Sequence, residues 1–230
     1  MNHNLHFSPT FRILLGVAIF AALAAADLLR NGRRATRWRE YAFLILCVAV
    51  AMLYGIVNDQ ITSRISWEYF YYGKELAPIL GPETPPNSAS LSLQAARIGA
   101  AATWWAGLVI GAAMLIANNP SPRYPQLSYA RLAARLPIIL LITIVSAAIL
   151  GLAGREFLLN WISADFRELT AANLWHPRHF MTVYGIHLGG YIGGALSVIY
   201  AVTSVLRERL TPNLPVPSAN RILLPFCGYF

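Results

Sequence analysis

The run YAFLILCVAVAMLYGIVNDQITSRISWEYFYYG, residues 41–73, decides how the chain is interpreted. Its first part, residues 41–57, is apolar and long enough to cross a hydrocarbon core as a helix. Polar side chains follow immediately, and an aromatic block occupies residues 67–72. The polar residues are Asn58, Asp59, Gln60, Arg64 and Glu68. The run therefore predicts a transmembrane helix that delivers Asp59 to one surface of a bilayer.

The composition extends this prediction to the whole chain. Hydrophobic residues make up 57% and charged residues only 12%, whereas charged residues are about 25% of a soluble protein. We predict an all-α polytopic membrane protein with a single domain over residues 1–210 and an extended cytoplasmic tail over residues 211–230. The five expected transmembrane helices cover about residues 9–29, 41–57, 93–117, 136–153 and 177–209.

The segment from Arg155 to Trp175 differs from these five runs. Apolar and charged side chains alternate along it with a helical period, which is typical of an amphipathic helix lying in the membrane interface.

The charge distribution predicts the orientation. With the N-terminus outside, the whole net charge of +8 falls on the cytoplasmic side, as the positive-inside rule requires. A cleaved signal peptide is the alternative for the first run, because Ala24–Ala26 resembles a cleavage site. The arginines that follow this run, at positions 30 to 39, favour a retained helix. Since topology explains the basic excess, we expect no nucleic-acid partner.

Small residues recur four apart on two of the predicted helices. They are Gly99, Thr103, Gly107 and Gly111 on the third, and the pairs Gly189 with Gly193 and Gly190 with Gly194 on the fifth. Such stripes let another helix approach closely.

Ionisable residues cluster on the predicted outer side. We expect a site built from Asp59, Glu68 and His187, with His179 as a further ligand. His187 lies eight residues, about 12 Å along a helix, inward of His179, and an ionisable residue at such depth normally has a partner. Carboxylate and imidazole together suit a divalent metal such as zinc or iron. They equally suit an acid/base pair.

A purely structural interpretation remains open for the same residues. Asp59 and Glu68 would face opposite sides of a straight helix, so they converge only if the helix ends or bends near residues 63–66. Glu68 is also spaced to pair with Arg64 on one helical turn. His187 would then link two helices through a tyrosine or a carbonyl group, and the aromatic block would form an interfacial belt.

The segment NDQITSRISWEYF, together with ATWWAG and HLGGYIGG, resembles a set of uncharacterised bacterial multi-pass membrane proteins. Their pattern is a DQ(V/I)TxRxxxEYF segment, a TWW helix and a late HxxxY helix. The resemblance implies the bacterial cytoplasmic (inner) membrane as the location. It singles out as the positions of interest Asp59, Gln60, Arg64, Glu68, Trp104, Trp105, His187 and Tyr191. Asn58 and Lys74 stand where that pattern has histidines, which weakens a metal site here.

Two functions are compatible with these features. The first is an integral membrane protein whose outward-facing Asp/Glu/His site acts on a lipid or a small molecule, with or without a metal. The second is a non-catalytic structural or accessory subunit whose glycine stripes dock other membrane helices or a second copy of the chain.

Overall fold

The computed structural model describes residues 9–122, 124–156 and 174–211, and within these ranges the chain forms helices and no strand. The helices are α1 (Pro9–Asn31), α2 (Trp38–Ile65), α3 (Ala77–Leu80), α4 (Ser88–Ala117), α5 (Tyr129–Ala133), α6 (Leu136–Glu156) and α7 (Pro177–Leu210). Five segments are long and apolar enough to cross a membrane. Four of them contain α1, α2, α4 and α7, and the fifth consists of α5 and α6 together. The predicted fold class and five spans are confirmed, and they suit an integral membrane protein. The amphipathic helix predicted over residues 155–175 and the tail predicted over 211–230 lie almost wholly outside the described residues.

Glycines hold two helix pairs in close contact. Between α2 and α4, a side chain at Gly55 would overlap the carbonyl group of Gly99, and one at Gly107 would overlap that of Cys47. Between α6 and α7, a side chain at Gly185 would overlap the carbonyl group of Leu150. The predicted stripes therefore bring helices together inside this chain, where small residues allow backbones to touch.

Two buried clusters close the bundle at its two ends. The aromatic end contains Tyr69, Phe70, Leu91, Phe180 and Val183. The opposite end joins the start of α2, the end of α4 and the end of α7 through Phe43, Met114, Leu132, Leu136 and Val205. We call this second end the arginine-rich end, because the arginines at positions 37, 39, 131, 135, 207 and 209 belong to it.

A dense hydrogen-bond network secures the arginine-rich end. The buried guanidinium group of Arg209 donates to the backbone carbonyls of residues 117, 119, 124 and 125. Asn118, also buried, exchanges two hydrogen bonds with the backbone of Leu127. Glu208 forms ion pairs with Arg131 and Arg135. The turn between α4 and α5 is thus fixed to the last turn of α7.

Helix α2 continues beyond its apolar run. It ends at Ile65, and Ser66 is extended, with φ −147° and ψ 104°. A wide π-helical turn over Tyr69–Gly73 follows the break. The bend that the sequence required between Asp59 and Glu68 therefore exists, at Ser66. Asp59 lies inside α2, with more than a full turn of helix between it and Ile65.

Candidate functional site

Asp59 of α2 and His187 of α7 form a buried pair. Oδ1 of Asp59 lies 3.7 Å from Nε2 of His187, and the two side chains are only 4% and 10% exposed. Asn58 donates to the same Oδ1 at 3.2 Å, and Oγ1 of Thr62 lies 3.5 Å from the same Nε2. The structure thus brings together two of the four predicted site residues, which lie on different helices and are 128 positions apart in the chain.

Aromatic side chains cover the pair at the aromatic end. The ring of Tyr69 stacks on His187 with centroids 4.8 Å apart, and Phe70 contacts the same imidazole edge-on at 6.1 Å. Phe180 packs against Tyr69 at 5.3 Å. Burial raises the pKa of the Tyr69 phenol above its ordinary value, so this group is protonated at neutral pH. Because this aromatic layer covers it, the pair does not open through that end of the bundle.

The pair instead faces a cavity of about 450 Å³ between α2, α4, α6 and α7, a volume typical of small-molecule sites. Its polar end holds Tyr54, Asn58, Asp59 and His187, and the rest of its lining is mainly apolar. Trp105 and Tyr191 also line it, yet they are 48% and 50% exposed. The cavity therefore reaches the side of the bundle, where lipid would surround a membrane protein.

Two polar atoms at this end of the cavity have no hydrogen-bond partner among the residues that the structure describes. They are Oδ2 of Asp59 and the hydroxyl oxygen of Tyr54, both buried. Buried polar atoms are nearly always hydrogen-bonded, and leaving one unpaired costs about 1–3 kcal/mol. The two oxygens have almost no accessible surface of their own, so a ligand hydroxyl in the cavity that both residues line would bond them after a small rotation of these side chains.

Glu68 lies apart from this pair and has a structural role. Its side chain is 1% exposed. One carboxylate oxygen accepts the backbone N–H of Trp175 at 2.5 Å and the other that of His176 at 3.1 Å. A carboxylate at a helix N-terminus is stabilising, so Glu68 anchors the beginning of α7. The predicted alternative, an ion pair between Arg64 and Glu68, does not form. Arg64 is exposed and donates instead to the carbonyl of Gln60.

His179 also lies away from the pair. It is exposed and stacks on His176 with ring centroids 5.5 Å apart. Its position two helical turns before His187 places it about 12 Å away along α7.

A metal centre does not fit these side chains. The described residues contain no group of three or more His, Cys, Asp or Glu side chains that could hold a metal ion. Asp59 and His187 supply two donor groups, and both oxygens of Glu68 are occupied by backbone N–H groups. Zinc sites use three or four protein ligands. Among the described residues, the site therefore offers one carboxylate and one imidazole.

Sequence reasoning missed the cavity and the part that Tyr54, Gly190 and Gly194 have in lining it. A signal was present in the two adjacent glycine pairs of α7. Gly189 and Gly193 pack tightly on α6, whereas a side chain at Gly194 would meet nothing within 4 Å. The second pair, Gly190 and Gly194, is not needed for packing against α6, and its lack of side chains leaves the cavity open.

No family model matches this chain, and neither the curated proteins nor the solved structures contain a match to it. The resemblance to uncharacterised bacterial membrane proteins stays a prediction.

Proposed function

We propose that this protein is an integral membrane protein that binds a lipid-like molecule with a hydroxyl-bearing head and a hydrocarbon chain. The head lies beside Asp59, His187 and Tyr54, and the chain fills the apolar remainder of the cavity. The observation that carries the proposal is the pair of buried, unpaired oxygens at one end of an otherwise apolar cavity. An unpaired carboxylate oxygen in such surroundings favours a ligand that donates a hydrogen bond.

The side opening supports a ligand that arrives from the membrane. Trp105 and Tyr191 lie both on the cavity and on the outside of the bundle. The aromatic layer of Tyr69 and Phe70 covers the other approach to His187. A molecule dissolved in lipid reaches the site without crossing either end of the bundle.

The Asp59–His187 pair also suits hydrogen bonding to the ligand head. A neutral imidazole accepts a hydrogen bond from a hydroxyl group, and a carboxylate 3.7 Å away favours the partial positive charge that the ring then gains. The pair thus holds the ligand hydroxyl and polarises its O–H bond. No metal enters this proposal.

The orientation is part of the proposal. The arginine-rich end faces the cytoplasm of a bacterial inner membrane, with the N-terminus outside, because the net charge of +8 then falls on one side. The Asp59–His187 pair consequently lies in the outer half of the bilayer, and its ligand comes from membrane lipids.

The alternative, an accessory subunit that docks other helices or a second copy through its glycine stripes, loses its main support. Gly99 and Gly107 are covered by α2, and Gly189 and Gly193 by α6. Leucine at Gly107 or Gly193 would disrupt the chain's own packing, so those substitutions do not test for a partner.

Native mass spectrometry of detergent-purified protein with added hexadecanol tests the proposal. We expect one hexadecanol per chain in the wild type and at least about tenfold weaker binding in Gly194→Leu, which puts a side chain into the open space. Gly16→Leu is the matched control, because a side chain there also meets nothing but lies on α1, away from the cavity. No binding to the wild type, or equal binding to Gly194→Leu, would reject the proposal.

A further inference from the structure

The cavity extends a fixed distance from its polar end. On α2 it is lined from Asp59 back to Cys47, and on α7 from His187 to Val198. These spans of twelve and eleven residues correspond to about 18 Å and 16 Å at the helical rise per residue. Two helices on different sides of the cavity therefore give nearly the same depth.

A closed floor terminates it. Ile110, Leu136 and Ile139 line the cavity and also belong to the buried cluster at the arginine-rich end. Behind them, Met114, Leu132 and Val205 fill the space between the helices and are fully buried. Protein interiors are close-packed, so a chain that reaches this floor continues only by displacing core side chains or by turning out through the side opening, where it gains no further contact with the protein.

The walls restrict the width as well. The contacts at Gly55 with Gly99 and at Gly185 with Leu150 fix the spacing within each helix pair. A volume of about 450 Å³ drawn out over this depth makes a narrow space.

From these dimensions we infer that the cavity selects its ligand by chain length. Resting on the proposed function, this inference assigns the ligand as a single unbranched hydrocarbon chain of about 16–18 Å with a hydroxyl-bearing head. Ile139 and Val198, which line the floor from α6 and α7, determine the accepted length. Lipids with two chains are excluded.

The test measures the affinities of decanol, dodecanol, tetradecanol, hexadecanol and octadecanol by native mass spectrometry. For the wild type we expect affinity to rise with each added methylene, by less than the about fourfold (~0.8 kcal/mol) that transfer from water would give, because the alcohols already partition into the detergent. The rise should stop near tetradecanol, the homologue whose extended chain matches the depth of about 16–18 Å. A diacylglycerol, which offers a hydroxyl head on two chains, should not bind.

Two variants move the floor in opposite directions. Ile139→Ala removes side chain from the floor and should shift the limit to a longer alcohol. Val198→Phe adds side chain into the cavity and should shift it to a shorter one. Their controls are Leu141→Ala and Ile199→Phe, which make the same kind of change at exposed positions outside the cavity lining. Neither control should move the limit.

The outcomes separate the two proposals. If the alcohols bind but the limit stays in place in Val198→Phe, or if diacylglycerol binds as tightly as hexadecanol, chain-length selection is wrong while the proposed function stands. If no alcohol binds the wild type, the proposed function itself fails. Should Ile139→Ala not fold, Val198→Phe decides alone, because it adds volume at the cavity and removes none from the core.

Discussion

Helix α7 carries two buried ionisable groups that differ in how far the hydrogen bonds around them are satisfied. Near its end, the guanidinium of Arg209 donates to four backbone carbonyls, so its donors are used within the chain. About 33 Å earlier along the helix, His187 meets Asp59, whose Oδ2 has no partner in the described structure. A fully satisfied polar network rigidifies a fold, whereas an unsatisfied one is costly and calls for another explanation. The difference is the reason for proposing a ligand at the Asp59–His187 pair, while the hydrogen bonds of the arginine-rich end hold the helices together.

Replacing Arg209 should produce the largest effect on stability. Arg209→Ala leaves the carbonyls of residues 117, 119, 124 and 125 without their donor, and we expect unfolding to become easier by about 3 kcal/mol or more. Thermal unfolding in detergent measures this. Arg207→Ala is the control, because Arg207 is exposed. Its side chain forms no hydrogen bond with the residues that the structure describes. It should change stability by less than about 0.5 kcal/mol. Equal effects of the two variants would remove the contrast between the ends.

Glu68→Gln should have an intermediate effect. The amide NH₂ of glutamine cannot accept the second backbone N–H that Glu68 now binds, so we expect a loss of about 1–3 kcal/mol. Hydrogen exchange should locate the change, with faster exchange at the backbone amides of Trp175 and His176. Glu83→Gln, at an exposed position, should leave both rates unchanged. If Glu68→Gln abolished hexadecanol binding without altering exchange, Glu68 would belong to the ligand site after all.

Asp59→Asn should have the smallest effect on stability and a large one on binding. The substitution keeps the shape and removes a buried charge that has an unpaired oxygen, so stability should change by less than about 1 kcal/mol, in either direction. Hexadecanol binding should weaken at least about tenfold, because an amide NH₂ replaces one carboxylate oxygen and the charge that favours a hydroxyl donor is lost. Thermal unfolding with and without hexadecanol separates the two readouts. A loss of stability as large as that of Arg209→Ala would make Asp59 a structural residue.

The candidate site was only partly predictable. His187 stood out because an ionisable residue deep in an apolar helix needs a partner, and Asp59 because it is a carboxylate at the predicted end of the second span. Glu68 appeared equally prominent, yet its partners are backbone N–H groups 107 and 108 residues later. No spacing rule within one helix relates such positions. The imidazole of His179 could have been a ligand by its chemistry, but it lies too far from His187 along α7, since two helical turns separate the two residues.

Hydropathy and charge alone determined the five spans and the arginine-rich end, because a bilayer acts on local composition and each span is read from a single segment. Glycine spacing likewise marked where helices touch, although not which helices. Only the tertiary structure decided that Asp59 meets His187 while Glu68 anchors α7, and that one glycine stripe packs on α6 while its neighbour borders a cavity. These outcomes depend on the break at Ser66 and on the rotation of α7 against three other helices, and a linear pattern does not encode that rotation.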